Sequence, residues 1–271
     1  MHKQAILAFF LLATFILSEG CVSFYSGSVL GHDAAEVPFP DQKSGGTSAD
    51  FALSTKVSPT TSYFTRDSTL SGVLSASAFT SFYASENARF CVGIVGSGYV
   101  ARTSIYLKST NSSPGSESTN QNILASSGLA AELKTGFILD PGKRNSIFTG
   151  LDFIYNQEFG DYLDFRRRIT GSDDRYIFLS GQRDQLNLSP AGTTLETYFF
   201  IGSRFRIAES EFIDALYSPG IALTNFPNEF NFRLVDRITA MYSLGKVWWS
   251  CSIEDLRFLN LGLGIGFGVR I

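Results

Sequence analysis

The sequence predicts an all-β chain of about ten strands, closed into an antiparallel barrel. Three observations predict it: strict alternation over the last 13 residues, the same period of two in four earlier segments, and connections that are by turns short and long. In the last segment Leu259, Leu261, Leu263, Ile265, Phe267, Val269 and Ile271 are separated by Asn260, Gly262, Gly264, Gly266, Gly268 and Arg270. Successive side chains of a strand point to opposite faces, so this strand has one wholly apolar face. Its 13 residues exceed the ~9–11 that a tilted strand needs to cross a bilayer.

The elements follow in chain order. His2 and Lys3 precede an apolar run, Ala5–Leu17, of the length a signal peptide uses. Ser18 and Gly20 place small residues three and one before Cys21, which suits an ordinary signal peptidase. The same bond is the one a lipoprotein signal cuts, although Ser18 and Glu19 stand where that pattern has Leu and a small residue. Residues 1–20 are therefore read as a signal peptide, with Cys21 either free or acylated. Residues 21–49 carry two Pro and Ser44-Gly45-Gly46-Thr47, and read as a flexible lead-in to a barrel over 50–271.

Four segments repeat the terminal pattern. In 123–139, Leu129, Ala131, Leu133, Phe137 and Leu139 oppose Glu132 and Lys134. In 146–157, Ile147, Leu151, Phe153 and Tyr155 oppose Gly150 and Asp152. In 193–207, Leu195, Phe199, Ile201, Phe205 and Ile207 oppose Glu196, Gly202, Arg204 and Arg206. In 229–244, Phe230, Phe232, Leu234, Ile238, Ala240, Tyr242 and Leu244 oppose Asn231, Arg233 and Arg237, and Asp236 breaks the pattern. Weaker strands are expected at 51–57, 69–83, 88–107, 219–225 and 246–253, with a bulge or turn at Gly96-Ser97-Gly98 and a helical turn within Glu209–Ser218.

Residues 84–87, 140–145 and 244–246 are short links, whereas 58–68, 108–122 and 158–192 are long and polar. This gives ten strands with both termini on the short-turn side. Eight or twelve are the alternatives, since 158–192 could hold its own hairpin at Arg175–Leu179 and Gln185–Leu188.

A lipid-facing exterior is favoured over a water-facing one for two reasons. The second face of the last strand is mostly Gly, where a solvated exterior would carry Lys, Glu and Thr. The apolar faces are rich in Phe and Leu along whole strands, and a sheet in lipid has to close so that every backbone group is paired. Tyr99, Tyr155, Tyr198, Tyr242, Trp248 and Trp249 are candidates for interfacial aromatic belts. Apolar content is only 44% because alternate positions and loops dilute it. With 22 Lys+Arg against 25 Asp+Glu the chain lacks the basic balance of a nucleic-acid binder, and removing Lys3 and Glu19 with the signal peptide leaves the net charge at −3.

On the signal peptide, the alternation, the loop asymmetry and the terminal strand, residues 50–271 resemble the small outer-membrane β-barrel proteins of diderm bacteria. The resemblance is to the class, without a family motif. It implies outer-membrane lipids and the barrel-assembly machinery as partners and the cell outer membrane as location. Barrels of that class usually end in an aromatic residue, and here Ile271 is last, with Phe267 on the same face.

For function the sequence leaves three readings: a small pore or passive transport protein with long surface loops, a narrow plugged barrel that binds a surface ligand, and a soluble exported ligand-binding barrel. Inward charges at Glu132, Lys134, Asp152, Glu196, Arg204, Arg233 and Arg237 would form either a mixed-charge pore wall or a salt-bridged plug. Arg166, Arg167 and Arg168 in the longest loop are candidates for an anionic surface ligand. No enzymatic role, cofactor or metal is expected. Beyond the signal peptide the chain has a single His, His32, and no Cys-x-x-Cys, so neither a His-based acid–base centre nor a zinc cluster is legible. Cys91 and Cys251 read as two small apolar residues, with a disulfide as the alternative.

Overall fold

The structure is a computed structural model. It describes residues 36–39, 48–62, 68–85, 87–108, 119–139, 144–171, 177–178, 192–224, 231–254 and 260–271.

Ten long strands follow one another around a closed wall. They are β1 (Ser48–Ser62), β2 (Ser68–Ser85), β3 (Ala88–Lys108), β4 (Thr119–Leu139), β5 (Asn145–Phe159), β7 (Thr193–Ala208), β8 (Glu211–Thr224), β9 (Asn231–Leu244), β10 (Val247–Glu254) and β11 (Asn260–Arg270). Each pairs antiparallel with the next, β5 directly with β7, and β11 returns to β1 with Ala52 opposite Arg270 and Ser62 opposite Asn260. Closure leaves no free edge along the wall, which is what a sheet in hydrocarbon requires. Two further elements lie between β5 and β7. These are helix α1 (Asp161–Gly171) and the two-residue strand β6 (Ile177–Phe178), which pairs with the end of β3.

The ten-strand expectation holds, and the details differ at three places. Of the hairpin considered within 158–192, Ile177–Phe178 is a strand but pairs with the end of β3, while 185–188 lies outside the described residues. Glu209–Ser218 is not helical: Glu209 and Ser210 make a tight turn and β8 begins at Glu211. Phe212 and Leu216 are inward as well as apolar, so both faces of β8 look alike in sequence and the period of two is hidden. Gly96-Ser97-Gly98 is neither bulge nor turn, because pairing with β2 runs unbroken through Ala76–Gly96, Ser75–Ser97 and Leu74–Gly98.

The exterior is the apolar face. Leu74, Ile94, Val100, Leu129 and Ile265 each stay more than half exposed, and the glycines of β11 face inward. Aromatic side chains cluster outside near the short turns, with Phe90 between Phe82 and Phe137 at 5.3 and 5.0 Å, and Trp249 between Tyr242 and Phe267 at 5.9 and 5.7 Å. Of the residues expected in belts, Tyr155, Tyr242 and Trp249 point out, whereas Tyr99, Tyr198 and Trp248 are buried inside. Asp236 is buried between the buried Val235 and Arg237, with unbroken pairing to Pro219. Cys91 is buried, Cys251 is exposed, and both are free thiols.

Candidate functional site

The lumen is the place where this fold collects its chemistry. Small residues opposite large ones make that packing feasible. Trp248 lies directly across from Gly268, and a methyl group there would sit 2.1 Å from the indole Cζ2. Phe200 pairs with Gly150, which pairs with Gly136, and its ring covers both. Tyr99 covers Gly128 and Tyr198 covers Gly220 in the same way. Inward aromatics thus cross the wall of the neighbouring strand rather than pointing at the barrel axis alone.

Into the remaining space fits a piece of the chain that belongs to no strand. Glu36–Phe39, part of the expected lead-in, is buried within the barrel. The Phe39 ring meets Phe79 edge-on at 6.1 Å and lies 5.8 and 5.6 Å from Phe148 and Phe200. Its carbonyl accepts hydrogen bonds from Arg204 Nη2 at 3.1 Å and Arg270 Nη2 at 3.3 Å. Arg270 also donates to the Pro38 carbonyl at 3.1 Å, and Trp248 Nε1 to the Glu36 carbonyl at 3.1 Å. The Glu36 carboxylate is ion-paired with Lys134 and, at 3.2 Å, with Arg237.

A ten-stranded barrel is slightly wider than the eight-stranded case whose own side chains just fill it. Here the added width holds the tetrapeptide Glu36–Phe39. Burial of charge is costly unless it is paired, and several of the lumen charges are paired with one another. Arg237 pairs with Asp152 at 3.3 Å and lies 5.0 Å over the Tyr198 ring. Lys134 also faces the Phe200 ring at 5.1 Å. Arg204 holds Asp214 and lies 3.8 Å over Phe212. Glu196 accepts from Tyr198 Oη at 2.8 Å and from Asn156 Nδ2 at 3.4 Å. Nearer the long loops Lys56 pairs with Glu254, to which Ser252 Oγ donates at 3.1 Å.

Lys134, Asp152 and Arg237 therefore form one quartet with Glu36, while Arg204 pairs separately with Asp214 and Glu196 is held by Tyr198 and Asn156. Glu132, level with the buried Val95 and Ile154, is only partly buried. Arg233 lies opposite Ala222 in the register, and its side chain is outside the described residues. Cys21 is also outside them.

The three loop arginines do not make one patch. They are helical, and at ~100° per residue consecutive side chains diverge. Arg166 is buried, pairs with Glu158 and lies 5.0 Å over Tyr162. Arg167 and Arg168 are exposed, the first 3.8 Å from Asp164. Tyr162 and Phe165 pack with Ile105, an inward residue of β3, so α1 folds against the inner wall at the long-loop end. The spacing of Tyr162, Leu163, Phe165 and Arg166 is the helical signal that would have revealed this. Glu36, Phe39, Asp214 and Glu254 had no signal in the sequence, because neither spacing nor periodicity marks them out from neighbouring acids and aromatics such as Asp33, Tyr25, Glu211 and Asp255.

No family model matches the chain, and no curated protein matches it. Among solved structures, the beta domain of the Bordetella autotransporter BrkA is 12% identical, covering 82% of this chain and 98% of its own, with a TM-score of 0.40. The translocator domain of the autotransporter NalP from Neisseria meningitidis is 10% identical, covering 84% and 90%, with a TM-score of 0.35. The outer membrane protein OprG from Pseudomonas aeruginosa is 10% identical, covering 84% and 98%, with a TM-score of 0.34. At these values the likeness extends no further than the barrel. The closed wall and its apolar exterior define the class directly: a β-barrel of the outer-membrane type.

Proposed function

We propose that the chain is an integral barrel of the bacterial outer membrane that is closed at rest and acts at its long-loop end as a surface-binding platform. One observation carries this reading: the Lys134–Glu36–Arg237–Asp152 quartet ties an internal segment into the lumen where a pore would need open water. Helix α1, packed on the inner wall at the other end, adds to the filling. The exposed Arg167 and Arg168 are the cations that an anionic surface ligand would meet there. Lipids of the outer membrane contact the apolar exterior, and the barrel-assembly machinery inserts the chain. The proposal assigns no reaction and no cofactor.

The test is single-channel recording of the refolded protein in planar bilayers. Electrical silence is the expected result, in a sample whose unheated and heated forms migrate differently on a gel. Steady, repeatable openings would overturn the closed barrel and favour the open-pore reading instead.

A further inference from the structure

We infer that the short-turn half of the lumen is a peptide-binding groove, built to take an extended peptide with an acidic residue three positions before an aromatic one. Glu36–Phe39 is its resident occupant. The inference deepens the closed-barrel reading and rests on it.

Three kinds of contact divide the recognition. The acidic side chain lies between two cations, Lys134 and Arg237. The aromatic ring enters a pocket of three phenylalanines, Phe79, Phe148 and Phe200, with the Lys134 ammonium 5.6 Å from its centroid. The backbone is gripped through the carbonyls of Glu36, Pro38 and Phe39 by donors from Trp248, Arg270 and Arg204. Pro38 has no N–H, so it brings no donor to be satisfied in the interior. Main-chain capture with pockets for spaced side chains is how proteins recognise extended peptides in general.

The occupant is separable from the wall. Among the described residues its hydrogen bonds come from wall side chains, and none from strand backbone, so withdrawing it breaks no ladder bond of the closed sheet. Withdrawal also takes one carboxylate from a cluster of two cations and two acids, Asp152 and Glu36, leaving the groove more positive there. An emptied groove of this kind favours a replacement carboxylate with a ring three residues on.

The test uses the full chain lacking residues 36–39, refolded in detergent micelles, with folding checked by heat-dependent gel migration. A fluorescent peptide of residues 34–41, Ala-Ala-Glu-Val-Pro-Phe-Pro-Asp, is titrated and followed by anisotropy. Saturable binding is expected, weakened about tenfold or more by Glu→Gln or Phe→Ala in the peptide, since each loses contacts worth at least ~1.4 kcal/mol. The unaltered chain, whose groove is filled, should bind about tenfold more weakly still by the same conversion.

Cys91 gives a second readout, because it is wholly buried in the same cluster as Phe39. A water-soluble maleimide should modify it in the shortened chain and not when peptide is bound, as read from the mass of the fragment that contains it. A folded shortened chain that binds no peptide, or binds a scrambled one equally well, overturns the inference. If the shortened chain does not fold, the full-length Glu36→Gln/Phe39→Ala variant takes its place. Its Cys91 should then label about tenfold faster than in the unaltered chain, and an unchanged rate is equally fatal. Failure of the underlying reading looks different: the unaltered protein itself would conduct, or would label at Cys91 as fast as when unfolded.

Discussion

Arg204 on β7 and Asp214 on β8 face each other in register and join through two hydrogen bonds of 2.8 Å, from Nε to Oδ1 and from Nη2 to Oδ2. Both side chains are buried, and the same Nη2 reaches the Phe39 carbonyl. One planar guanidinium thus fixes a strand pair and the internal segment together. A fork of five donors suits this role where an ammonium would not.

Asp214→Ala leaves the Arg204 charge buried without its carboxylate and should cost about 3–5 kcal/mol of stability. Replacing the pair together, as Arg204→Met/Asp214→Leu, removes both charges and should be far milder. Urea unfolding in micelles measures both. A double variant as damaged as Asp214→Ala, or more so, would mean that the pair is not the unit described.

The glycines of the inner wall give a second prediction. Gly268→Ala puts a methyl group 2.1 Å from Trp248 Cζ2. Such overpacking should destabilise by about 1–3 kcal/mol. Trp248→Phe added to it should recover part of the loss. Gly96 is the matched control: it sits on the exterior with nothing within 4 Å of the added carbon, so Gly96→Ala should be neutral or slightly stabilising. Equal effects at the two positions in a thermal gel-shift series would contradict the packing.

These glycines also show why half of the barrel was legible in sequence and half was not. Lipid asks the same thing of every second residue, so Leu129, Ile265 and their neighbours announce the outer face along one strand. The lumen asks something different at each height, and the answer lies on another strand. Trp248 and Tyr198 look like interfacial aromatics until Gly268 and Gly220 are seen across from them. Lys134 and Arg237 were legible as inward charges because they stand at the alternate positions of an apolar alternation. Their partner Glu36 was not, since a single acid outside any strand has no period to break. Arg166 was misplaced for a related reason. Three adjacent arginines suggest a patch in a loop, but the helix formed by Asp161–Gly171 turns the first of them inward to Glu158.

The two described thiols yield a third prediction. Cys91 on β3 is buried inside and Cys251 on β10 is exposed outside, so the wall separates them. A disulfide needs its Cα atoms within ~7 Å and its Cβ vectors converging. Reduction should therefore leave the gel mobility of the refolded protein unchanged. In the same sample a lipid-soluble maleimide should modify Cys251, and Cys91 only after denaturation. A mass two hydrogens short on the joined fragments would show that the pair forms after all.

The sharpest test of the exterior is the depth dependence of an added charge. Ile265 is 68% exposed and pairs with Val57 and Cys251, well within the wall. Ile271 is 74% exposed and lies at the short-turn end, where its N–H donates to the Phe51 carbonyl at 2.9 Å. In water the two are equivalent, and Lys at either would be harmless. In a bilayer a lysine near the midplane costs about 2–4 kcal/mol and one near an interface about 0–1. Ile265→Lys should accordingly lower folding stability in lipid vesicles by a few kcal/mol, and Ile271→Lys by little. The same comparison also separates a membrane barrel from the soluble exported barrel that the sequence left open. Two variants as stable as the parent, and released from membranes by carbonate, would move the apolar face out of lipid and overturn the proposed location.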